Sequence, residues 1–105
     1  MKRSTRIGTI ADTLECDLKS HPFPRPDPAL LDRLRFLCVK LEDVDEYALE
    51  QATQLFSHAD AYYGSRLAQN APPNSDALFD EMLGFVDRMR VRAMVRAAQP
   101  GTDEM

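Results

Sequence analysis

At 105 residues, with 44% hydrophobic and 29% charged side chains, the chain has the size and composition of one modest globular domain. No apolar run approaches the ~18 residues of a membrane span, and no apolar stretch of about 7–15 residues follows the basic start, so the expectation is a cytoplasmic protein without a membrane helix or secretory signal. The net charge of −4 is spread as +2 over residues 1–26, −4 over 27–74 and −2 over 75–105, so no segment has the positive excess of a typical nucleic-acid binder.

Residues 1–8 are polar and basic and are expected to be loose. Ile7, Ile10, Ala11, Leu14 and Leu18 then recur at steps of three and four, which predicts a short amphipathic helix over about 9–20. Thr9 with Asp12 resembles a capping box for its start. Residues 21–28 carry four prolines in alternate positions, each fixing its own φ and biasing its predecessor away from helix. They predict a stiff extended connector, anchored by Phe23.

The stretch from Asp27 to Gln69 dominates the chain: 43 residues containing one glycine, Gly64, and no proline after Pro28. Leu30, Leu34, Leu37, Leu41, Val44, Ala48, Ala52, Leu55, Ala59 and Tyr62 form its helical stripe. Asp27 as N-cap and Pro28 at the first helical position mark the start. One straight helix of this length would run about 65 Å, too long for the remaining residues to cover. The acidic group Glu42, Asp43, Asp45 and Glu46 suits a new helix N-terminus, so a break is predicted there, with a second helix over about 45–69. Phe36 and Val39 fall outside the leucine arc. The alanines on the second helix predict a close helical neighbour.

After the breaker Asn70-Ala-Pro-Pro-Asn74, a third main helix is predicted over about 76–98. Its apolar residues, including Met82, Met89 and Met94, occupy about half the circumference and call for contacts on two sides. Residues 99–105 read as a disordered polar tail. The predicted fold is therefore all-α: a single domain built as a compact bundle of three main helices, plus the short N-terminal helix.

Chemistry-bearing patterns are sparse. Cys16 and Cys38 stand 22 residues apart without a C-x-x-C pair, and Cys38 reads as a small buried hydrophobe. His58 has no carboxylate or second histidine on its own helical turn. Phosphate loops, nucleophile elbows and zinc-protease motifs are all missing from the sequence. No catalytic residue, cofactor or metal is expected, and the protein is read as not an enzyme. Arg88, Arg92 and Arg96 repeat at i, i+4 and i+8 along one edge of the third helix, with no acid between them. That exceeds what the helix dipole asks for and points to an acidic counterpart.

These features suggest a non-catalytic interaction protein, such as an adaptor, assembly chaperone or regulator, with a second copy of itself among its candidate partners. The candidate contact residues are Arg88, Arg92, Arg96, Phe36, Val39, Met82, Met89 and Met94. The alternative is a DNA-binding transcriptional regulator, using Lys2, Arg3 and Arg6 with the arginine edge. Arginine outnumbers lysine ten to three, a bias associated with GC-rich bacterial genomes.

Overall fold

The computed structural model describes residues 2–64 and 75–103, and every extended element among them is helical. α1 spans Arg3–Ser20, α2 Pro28–Val39, α3 Glu46–Tyr63, α4 Ser75–Ala97 and α5 Pro100–Asp103. The all-α expectation holds. The predicted end of the second main helix beyond Gly64, and the breaker at 70–74, lie outside the described residues.

The break within 28–69 falls where the acidic residues placed it. α2 stops at Val39, two tight turns follow, and α3 restarts with Asp45 as its N-cap, Oδ2 accepting from the Ala48 N–H at 2.8 Å. Asp27 caps α2 in the same way, accepting from the Leu30 N–H at 3.0 Å. The stripe stays in phase across the break because Leu41 and Val44 sit in the turn and are both buried.

Three expectations need correction. α1 is not short, and residues 3–8 are not loose: the helix has 18 residues and begins at Arg3. Ile7 is fully buried with Ile10, Ala11, Leu14 and Leu18, so the core face extends a turn earlier than Thr9. Thr9 caps nothing; its hydroxyl donates to the Thr5 carbonyl inside the helix at 2.9 Å. Within the expected polar tail, Pro100–Asp103 are helical. The short α5 returns to the start of α1, where the Asp103 carboxylate accepts from the Ser4 N–H at 2.7 Å and the Ser4 hydroxyl at 2.6 Å. Lys2 offers α1 no side-chain cap, so Asp103 supplies from 99 residues away the acceptor that a local Ser or Asp would normally provide. Third, Phe23 does not anchor the connector, being 64% exposed. The connector is held by its backbone: the Tyr62 and Tyr63 hydroxyls donate to the carbonyls of Pro22 and His21 at 2.6 Å each, and the Asp27 N–H donates to the Tyr63 carbonyl at 3.0 Å.

α4 packs most extensively, against both α1 and α3, which covers Met82, Phe85, Val86 and Met89 of its wide apolar face; α2 packs chiefly on α3. Contacts between the N-terminal end of α3 and the C-terminal end of α4, and between His58 and Glu81 further along, make that pair antiparallel. α2 and α3 also run antiparallel, with the Cys38 thiol donating to the Ala52 carbonyl at 3.2 Å. A side chain reaching the backbone of the facing helix requires the small residues that line it, and Ala48, Ala52 and Ala59 are fully buried. Gly64 ends α3 under a similar constraint, since a Cβ there would lie 2.2 Å from the Asp60 carbonyl oxygen.

Replacing Ala52 with Leu should overpack the α2–α3 contact and lower stability by roughly 1–3 kcal/mol. Chemical denaturation measures it, and a midpoint equal to that of the parent would place the seam away from close contact.

Candidate functional site

The arginine edge has its counterpart inside the chain. Asp45, whose side chain has no exposed surface, accepts from Arg92 Nε at 3.1 Å and from Arg96 Nη2 at 2.7 Å while also capping α3. Desolvation of Asp45 opposes its ionisation, but the hydrogen bonds from Arg92, the Ala48 N–H and Arg96 outweigh it and hold the carboxyl below its ordinary value. Arg3 joins this end of the molecule by donating to the Val44 carbonyl at 3.2 Å. The acidic counterpart that Arg92 and Arg96 meet is thus a residue of the α2–α3 turn of their own chain. Arg88 stands apart, its guanidinium 5.0 Å from the Phe85 ring centroid and without an ion pair among the described residues.

The apolar candidates divide. Met82 and Met89 are fully buried in the core, so they are not available as surface contacts; both lie on the side of α4 that packs on α1 and α3. Phe36, Val39 and Met94 are exposed, Phe36 at 61% and Met94 at 70%. Val91 and Val95, which the sequence reading passed over, are exposed beside Met94 and complete a stripe at i, i+3, i+4 on the outer face of α4. Their signal was present in the spacing, but it was masked by the longer core stripe on the same helix. On α2, the Lys40 ammonium sits 4.7 Å from the Phe36 ring centroid, and Phe36 and Val39 border shallow grooves toward α1 and α3.

A third region lies between α3 and α4 on another side. It is a groove of about 560 Å³ with Phe85 and Gln51 in its wall and Tyr47, Gln54, His58 and Arg88 around it. His58 Nδ1 faces the Gln54 carbonyl at 2.9 Å and Nε2 faces the Glu81 carboxylate at 2.6 Å. Both ring nitrogens are thereby turned to groups of the chain itself, Nδ1 within α3 and Nε2 across to α4. His58 is thus a tie between helices rather than a base or ligand. The described residues contain no group of three or more His, Cys, Asp or Glu side chains arranged to hold a metal ion. Cys38, buried among apolar neighbours, has its thiol pushed up to about 11 and stays protonated as a donor. No helix among the described residues is long and apolar enough to cross a membrane.

Comparison with protein-family models, with curated proteins and with solved structures finds no match.

Because the folded Asp45 carboxyl lies below its ordinary value, the stability it contributes is present above the usual carboxylate range and is lost as pH falls through the depressed value. Asp45→Ala removes both the cap and the counter-charge and should cost about 2–4 kcal/mol, while Asp45→Asn, which can still cap, should recover about 1 kcal/mol of that. Melting temperatures of the two variants from pH 7 down to pH ~3 test this. The parent should lose stability over the acid range more steeply than Asp45→Asn does.

Proposed function

We propose that this is a non-catalytic interaction protein, an adaptor, assembly chaperone or regulator, whose partner contacts are the exposed apolar side chains of α2 and the C-terminal half of α4. The observation that carries the reading is the contiguous outer stripe Val91, Met94 and Val95, left uncovered although α4 already packs on two helices. Single exposed hydrophobes are ordinary on protein surfaces, but a stripe at helical spacing is the form in which one helix meets another. Phe36 and Val39 supply a second, smaller patch. Met94 suits the role because its unbranched, polarizable side chain adapts to irregular partners.

The nucleic-acid alternative draws on Lys2, Arg3, Arg6 and the arginine edge. Of these cations, Arg3, Arg92 and Arg96 already serve a backbone carbonyl and a buried carboxylate, which leaves the alternative with weaker support.

Replacing Met94 and Val91 with serine should leave the melting temperature within a degree or two, since the positions are solvated, while abolishing self-association or partner capture. Sedimentation across the micromolar range and binding of a hydrophobic dye read the result. A parent protein that remains a strict monomer, binds no dye and captures no protein that Met94→Ser loses would overturn the interaction reading.

A further inference from the structure

The groove between α3 and α4 contains polar groups that the fold leaves unmatched. Gln51 is only 7% exposed, faces the groove, and makes no side-chain hydrogen bond among the described residues. Its carboxamide is not sealed away either, because Arg3 Nε is the sole fully buried, unpartnered side-chain polar atom of the described residues. The amide therefore opens into the groove, offering an NH2 donor and a carbonyl acceptor side by side. Within the chain nothing pairs with it: Gln54 turns to Glu50 at 3.4 Å and His58 faces Glu81. At the rim, Arg88 rests on the Phe85 ring with its guanidinium edge uncommitted.

We propose that this groove binds a small organic carboxylate that also carries an amide. Arg88 receives the carboxylate through its planar fork, and Gln51 pairs with the amide, donating to its carbonyl and accepting from its N–H. Phe85 provides an apolar wall beside Arg88, and a volume of about 560 Å³ is within the range of small-molecule sites. The inference is independent of the exposed apolar stripe and stands whether or not that stripe binds a partner.

The test is titration of the full chain with N-acetylglycine, followed through backbone amide and glutamine side-chain NH2 resonances. Saturable shifts of the Gln51 side chain and of residues around Phe85 are expected. N-acetylglycinamide, which lacks the carboxylate, and acetate, which lacks the amide, should each bind roughly tenfold or more weakly, as should the Arg88→Gln variant with N-acetylglycine. Arg88 is exposed, so that variant folds regardless. Gln51→Leu should also bind weakly, and if it fails to fold, the two analogues still decide the role of the amide. Acetate binding as tightly as N-acetylglycine would reduce the site to a bare anion contact and overturn the proposal. So would an unsaturable response, or equal affinity in Arg88→Gln.

Discussion

A carboxylate with no exposed surface cannot be left unmatched, and Asp45 is where the architecture answers that demand. Its two oxygens receive the Ala48 N–H in the first turn of α3 and the guanidinium groups of Arg92 and Arg96. Any slide of α4 along α3 by one turn would strand this charge in a site closed to water, at a cost of several kcal/mol. The antiparallel register of the pair follows from that, and so does the length of the α2–α3 turn, which must deliver Asp45 to the end of α4. The same residue that restarts the helix after the break thus locks α3 and α4 together.

The rest of the polar framework extends this register outward from α4. Arg90 reaches Asp12 at 2.8 Å and also bonds Glu15, fixing α1 against the opposite side of α4. The hydrogen bond from Arg90, reinforced by Lys19, holds the Glu15 carboxyl below its ordinary value. His58 and Glu81 tie the far ends of α3 and α4, and Arg33 bonds the buried Asp17 to join α2 to α1. A core made of Leu, Ile, Ala, Val and Met attracts without direction, so many sliding arrangements would bury similar area. Directional pairs at several separate heights are what leave one arrangement complete.

What the sequence shows of this, and what it hides, divides by distance along the chain. Helical spacing, the Asp27–Pro28 start and the acidic restart near Asp45 are local signals, and each is visible in the structure at its expected place. The start of α1 is not local: its cap comes from Asp103, so nothing near Arg3 announces it. The arginine edge shows the same limit. Spacing at i, i+4 and i+8 tells that three side chains share a face, but not that Asp45 lies across from two of them. For Met82 and Met89, the wide stripe of α4 gave no means of telling the packed sides from the bare one. Phe23 looked like an anchor because it is large and apolar, whereas a proline-rich strap is more readily held through its free carbonyls, as Tyr62 and Tyr63 do here.

α4 brings these strands together because every face of it is committed to a different task. One side carries Met82, Phe85, Val86 and Met89 into the core, and its flanks carry Arg90 toward α1 and Arg92 and Arg96 toward Asp45. With its position fixed by those contacts, the outer stripe of Val91, Met94 and Val95 contributes nothing that folding requires. The groove side differs in kind: Gln51 and Arg88 are polar groups without a hydrogen-bond partner among the described residues, whereas His58 and Glu81 match each other about two turns away. The Gln51 amide opens into the groove, so solvent reaches it as it reaches the stripe, and the packing of α3 on α4 demands neither surface.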